Sequence, residues 1–308
     1  MNKNYRSTVF LSGLALLLLC GFDFSGPRIP LDEIHSGGPP KDGIPALTNP
    51  AFVSPEAAER EFLGKTDRVL GLVVNGQAKA YPVKILNWHE IVNDTVGGKP
   101  VVVTFCPLCG TGMVFDGEID RRKFTFGVSG LLYQSDLLMY DRQTESLWSQ
   151  IMGQAVTGPM SGVKLKLLPS SQTTWPEWKK RNPGSLVLSV QTGHRRDYFR
   201  DPYENYEQNR DLMFHVRAQN PAYHPKEKVI GVEIAGSAKA YPFSELAKVK
   251  TPVKDEVQGT QITIYFDASS QTATIRDKDG KELPSVVGFW FAWTAFHPGT
   301  GIFKGKAP

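Results

Sequence analysis

The 308-residue chain is poor in the atoms that metal and redox chemistry most often uses: three cysteines, six histidines and six methionines. So few thiols exclude a disulfide-stapled scaffold, and the fold must rest on a hydrophobic core. Strong charge of either sign is also missing. The formal net charge is +4, and without Lys3 and Arg6 of the N-terminal leader it is +2, which excludes nucleic acid as the expected partner. No phosphate-binding loop, Ser-His-Asp set or paired-carboxylate pattern stands out. No histidine follows the second cysteine of the Cys-x-x-Cys pair, which disfavours covalent haem attachment. The one long apolar run, Val9 to Leu19, is too short for a comfortable membrane span.

What is present begins with that run. Lys3 and Arg6 before it make an export leader over 1–20, with Cys20-Gly21 as a site of lipidation or plain cleavage nearby. The expected location is the periplasm or cell surface, with membrane contact only through the leader or a lipid on Cys20. Residues 21–50 interleave Pro27, Pro30, Pro39, Pro40, Pro45 and Pro50 with glycines and read as a tether or strap. Residues 51–308 then read as a single β-rich domain.

That domain contains an internal repeat. Val69-Leu70-Gly71-Leu72 with Ala78-Lys79-Ala80-Tyr81-Pro82 recurs as Val229-Ile230-Gly231-Val232 with Ala238-Lys239-Ala240-Tyr241-Pro242. Asp94 then matches Asp255, Gly98 matches Gly259 and Phe105 matches Phe266. The expected fold class is mainly β with a few short helices, a β-rich α+β arrangement of repeat one (66–115), an insertion (116–226) and repeat two (227–308). Within the insertion, Thr174-Trp175-Pro176-Glu177 has capping-box spacing and predicts a short helix through Lys180. Asp136, Asp141, Glu145 and Trp148 form a polar-aromatic stretch that reads first as an exposed hairpin and second as the lining of a cleft, and the tyrosine-rich stretch from 195 to 210 reads as a surface loop.

Cys106-Pro107-Leu108-Cys109-Gly110 carries the chemistry. Carried into the second copy, Cys106 falls on Asp267, Cys109 on Ser270 and His89 on Lys250, so the thiols serve one copy only. Cys-Pro-x-Cys-Gly resembles the metal-binding knuckle of rubredoxins and zinc ribbons, in which glycine accepts a positive φ after the turn. Gly110-Thr111-Gly112-Met113 after it cannot form the helix that stabilises a thioredoxin-type thiolate, which weakens the redox reading. Further ligands are expected from His89 in Asn87-Trp88-His89-Glu90 and His297 in Ala295-Phe296-His297-Pro298, whereas Met113 reads as core. Two thiolates with imidazoles suit copper first, with zinc or iron behind it.

These strings, with Ile44-Pro45-Ala46-Leu47-Thr48-Asn49-Pro50 and the run from Ser135 to Thr144 followed by Leu147-Trp148-Ser149-Gln150, resemble the domain of unknown function 3179 family of exported or membrane-anchored prokaryotic proteins. The resemblance spans most of 44–308 and implies no activity. The expected function is an exported metal-binding protein with one Cys2His2-type site at Cys106, Cys109, His89 and His297. Such a site would serve copper handling or electron transfer, with a redox or metal-trafficking protein as partner. The alternatives are a thiol-disulfide oxidoreductase or redox sensor using the same pair, and a non-catalytic surface binding scaffold.

Overall fold

The computed structural model describes residues 21–306. The expected leader and Cys20 lie outside the described residues. The chain is mainly β, 39% strand against 12% helix. Among the described residues the α-helices run to seven residues at most, and none is long and apolar enough to cross a membrane.

The two repeat segments run through the same elements in the same registers. The first opens with a hairpin, Arg68–Val74 against Gln77–Pro82, and the second with Lys228–Ile234 against Ser237–Pro242. Each turn holds two residues at positive φ, Asn75-Gly76 and Ala235-Gly236, the geometry that matches strand twist in a two-residue hairpin. A short helix follows (Val83–His89; Phe243–Leu246), then a three-stranded meander. The first meander is Ile91–Val96, Lys99–Cys106 and Thr111–Asp116; the second is Val253–Val257, Thr260–Asp267 and Thr272–Asp277. Buried Asp94 takes Lys79 at 2.8 Å and the Tyr81 hydroxyl at 2.7 Å, and Asp255 takes Lys239 at 2.7 Å and Tyr241 at 2.9 Å. The recurring Ala-Lys-Ala-Tyr-Pro string thus supplies a cation and a hydroxyl to one carboxylate in each half.

The likeness extends beyond the segments whose sequences match. Strand Ser171–Thr174, helix Trp175–Arg181 and strand Leu186–Leu188 flank the first hairpin. Strand Val286–Phe289, helix Trp290–Phe296 and strand Gly301–Ile302 flank the second in matching register. Trp178 lies over Gly71 and Trp293 over Gly231, so close that a Cβ on either glycine would sit 2.3 or 2.4 Å from the indole. Each indole N–H is then satisfied by a hydroxyl just past the helix, Ser185 at 2.8 Å and Thr300 at 2.9 Å. Thr174 does stand before its helix as expected, but its side chain makes no capping hydrogen bond; Pro176 in the first turn already removes one of the unpaired donors.

The halves dock reciprocally. Thr111–Asp116 of the first meander joins Val286–Phe289 through Gly112 and Val287. Thr272 of the second meander meets Thr173, hydroxyl to hydroxyl at 2.7 Å.

One expectation fails, because part of the insertion packs inward. The stretch expected to be an exposed hairpin is core: Asp136, Asp141 and Trp148 are all 0% exposed. Asp141 tolerates this because Trp148 Nε1 donates to it at 2.8 Å and Thr144 satisfies it twice more. The tyrosine-rich segment is a surface loop as expected, except that Tyr198 and Tyr206 turn inward and are buried. Residues 21–50 act as a strap rather than a tether. Ile29 is buried, Ile34–Ser36 pairs with Leu131–Tyr133, and Leu47–Thr48 runs parallel to Val92–Asn93.

Candidate metal centre

Cys106 closes the middle strand of the first meander and faces Thr111 across a tight turn. Gly110 supplies the positive φ the knuckle spacing predicts, +61°. It must also be glycine for space, since a Cβ would lie 2.9 Å from the Phe289 ring. Phe289 donates its amide to the Cys109 carbonyl at 2.8 Å, so a strand of the second half pins the turn. Thr111 continues directly into a strand, so no helix follows the thiols along the chain. Both cysteines are free thiols, 2% and 0% exposed.

The insertion brings the third group. Strands Phe126–Tyr133 and Asp136–Asp141 are joined by Gln134 and Ser135, both at positive φ (52° and 65°). Two non-glycine residues in that conformation are costly, and the turn is held from outside. Arg217 donates its amide to the Gln134 side chain at 2.6 Å, which itself donates to Glu33 at 2.8 Å. The turn aims the Ser135 carbonyl at the thiols, with Cys109 Sγ donating at 3.3 Å, and sets Asp136 beside them. One ligand atom from each of Cys106, Cys109 and Asp136 lies within 4.8 Å of the others.

The pocket is unusually short of compensation. Ile151 donates its amide to Asp136 Oδ2 at 3.0 Å, but among the described residues Oδ1 has no hydrogen-bond partner, nor have the buried hydroxyls of Ser135 and Tyr206. Burial pushes the Asp136 carboxyl up to about 7 against the opposing pull of the Ile151 and Leu137 amides. Glu90, 7% exposed and itself at positive φ (56°), is pushed up to about 8 by burial and then by the Asp136 charge. Burial, reinforced by Cys106, also raises the Cys109 thiol. Ionised forms are therefore disfavoured throughout this desolvated pocket.

The structure brings together two of the four residues expected as ligands. Cys106 and Cys109 meet; the cluster of mutually close donors contains neither His89 nor His297. The His89 ring has both nitrogens engaged elsewhere, Nδ1 with the Pro45 carbonyl at 2.7 Å and Nε2 with the Tyr198 hydroxyl at 2.6 Å. Burial drops its pKa to about 4, so the ring is neutral, with Nδ1–H donating to Pro45 and Nε2 accepting from Tyr198. His297 ends the Trp290–Phe296 helix at φ −128° and ψ 64°, nearly the −136° and 69° of Asn182 at the end of the matching helix. Each donates its amide to the carbonyl of the tryptophan four residues earlier. The His297 ring stacks on Trp293 at 4.0 Å, and burial lowers its pKa. The aromatic surroundings that suggest a ligand in the sequence are those of this helix end.

Asp136 and Glu90 are the groups that sequence reasoning missed. Glu90 adjoins a histidine already singled out, and its counterpart in the second half is Thr251, so it is lost there together with the thiols. Asp136 has no local signal, since only tertiary folding carries the insertion onto the knuckle. A cleft of about 320 Å³ opens beside the turn, lined by Phe105, Pro107, Gly110, Tyr203, Tyr206 and Phe289 among others.

No curated protein and no solved structure matches the chain. A family model does, across residues 41–300, and the chain belongs to the family described as protein of unknown function, DUF3179.

Proposed function

We propose that the protein binds one metal ion at Cys106, Cys109 and Asp136. The observation that carries this reading is the unpartnered Asp136 Oδ1 beside two buried thiols, with orphaned Ser135 and Tyr206 hydroxyls around them. A divalent cation removes the conflict. Two thiolates and one carboxylate bring three negative charges, a dication offsets two of them, and protonated Glu90 adds none. Two sulfurs and a carboxylate oxygen form a borderline donor set. It suits zinc ahead of the copper favoured by the histidine-containing set, and tetrahedral zinc accepts these donors without angular strain. Sulfurs of residues 0 and 2% exposed are poorly placed for attack on a disulfide of another protein, which sets thiol exchange behind metal binding.

Elemental analysis of protein purified under reducing conditions tests the reading. One equivalent of metal is expected, falling to none in Cys106→Ser/Cys109→Ser. A metal-free protein with a readily titrated Cys106–Cys109 disulfide would sink it in favour of the redox role. An exported location and a metal-trafficking partner belong to the same proposal; growth-medium copper and zinc series, with metal content as readout, separate zinc from the copper that the histidine-containing set favours.

A further inference from the structure

We infer that Tyr206 is the fourth donor of this centre. The inference rests on the metal reading and adds a residue outside the knuckle, the Asp136 turn and the histidines. The Tyr206 hydroxyl is buried without a hydrogen-bond partner among the described residues, in a residue only 7% exposed. A buried phenol normally finds a partner, because leaving its hydrogen bond unmade forfeits the hydration it had in water. Tyr206 belongs to the same packed cluster as Cys106, Cys109 and Phe289, and its ring centre lies 6.5 Å from that of Phe289, the residue that pins the turn. The Met213 backbone lies beside its hydroxyl but does not reach hydrogen-bond geometry. The residue also lines the cleft, so Tyr206 stands between the centre and solvent.

The segment presenting this side chain is clamped. Lys226, 4% exposed, donates to the carbonyls of Asn209 at 2.5 Å and Asp211 at 2.6 Å, and its ammonium rests 3.8 Å from the centre of the Tyr206 ring. A buried lysine spent on two loop carbonyls and one ring face fixes where that hydroxyl points. Three protein donors leave a tetrahedral ion one short, and Tyr206 is the orphaned oxygen available on the solvent side.

Cobalt(II) titration of the full mature chain, reduced and metal-free, tests this, because tetrahedral cobalt(II) is coloured and its bands follow its donors. Tyr206→Phe is expected to weaken cobalt(II) binding at least tenfold and to alter the visible bands. The metal-free variant is expected to melt no lower than wild type, because the change removes an orphaned hydroxyl and keeps the ring. Unchanged bands with a Kd within twofold of wild type would overturn the role of Tyr206 and leave the three-donor centre standing. A metal-free Tyr206→Phe protein melting well below wild type would also overturn it, by giving the hydroxyl a structural role. Wild-type protein that develops no thiolate-dependent cobalt band would instead defeat the metal reading itself.

Discussion

The turn at Cys106–Gly110 and the turn at Asp267–Gln271 occupy the same place in two halves folded alike, yet they solve their burial in opposite ways. In the second, Asp267 accepts from the Ser269 hydroxyl at 2.7 Å, the Ser269 amide at 2.9 Å and the Ser270 hydroxyl at 2.9 Å. Those bonds hold the carboxylate below its usual range, so the turn is self-satisfied and ionised at neutral pH. In the first, the counterpart thiols have a single carbonyl to share, and the nearest carboxyl is held up by burial rather than down by donors. The same backbone turn is therefore stable without sulfur. The thiols add a cost that the scaffold alone does not explain, and a ligand does.

The sharpest way to break this contrast is by metal content. Cys106→Ser/Cys109→Ser should bind none, whereas Asp267→Ala/Ser270→Ala should keep a full equivalent while losing about 1–2 kcal/mol of stability in urea unfolding, as expected for stripping a turn of its side-chain bonds. Metal loss in the second variant as well would make the centre a reporter of overall folding rather than of one turn.

The next effect tests whether the halves are mechanically equivalent. Gly71→Ala and Gly231→Ala each drive a methyl into an indole, and each should cost about 2–3 kcal/mol. Two similar losses in denaturant midpoint would support equivalence. A loss at one site alone would show that only one tryptophan helix bears the packing.

Acidity separates the halves more gently. Glu90 and Asp136 have folded-state pKa values raised to about 8 and about 7, so the native state holds protons that the unfolded chain releases near pH 4. Their contribution to metal-free stability is therefore fully present below about pH 4 and is lost as pH rises to about 7–8. Metal affinity should move the other way, rising with pH as the ligands release their protons. Glu90→Gln/Asp136→Asn should flatten the stability slope measured by thermal melts between about pH 5 and 8. A slope unchanged in that variant would place the titrating groups elsewhere.

The smallest expected effect concerns His297. If it ends its helix as Asn182 does, His297→Asn should shift stability by less than about 1 kcal/mol and leave metal affinity unchanged. A tenfold loss of affinity would restore the histidine to the centre.

Much of the scaffold is legible in the chain because it is local and occurs twice. Ala-Lys-Ala-Tyr-Pro marks both hairpins, and Cys-Pro-x-Cys-Gly announces a tight turn requiring glycine. A second signal lies further along the chain. Trp175 and Trp178 before Asn182-Pro183-Gly184-Ser185 have the spacing of Trp290 and Trp293 before His297-Pro298-Gly299-Thr300. That shared spacing alone aligns His297 with Asn182 and marks both as helix ends. Asp136 and Tyr206 leave no such trace. One comes from a hairpin of the insertion and the other from the segment leading into the second half, and nothing in their immediate neighbours says where either will pack.

The docking of strand Val286–Phe289 against the thiol turn has a temporal consequence. The donors that the structure brings together come from Cys106, Cys109 and Asp136, and the strand that pins their turn comes only after residue 285. Contacts so distant along the chain form late, after many shorter loops have closed. A growing or truncated polypeptide would thus carry its two cysteines as ordinary reactive thiols. Only the finished chain would withdraw them from solvent, and the C-terminal half, though it contributes no donor, decides when that happens.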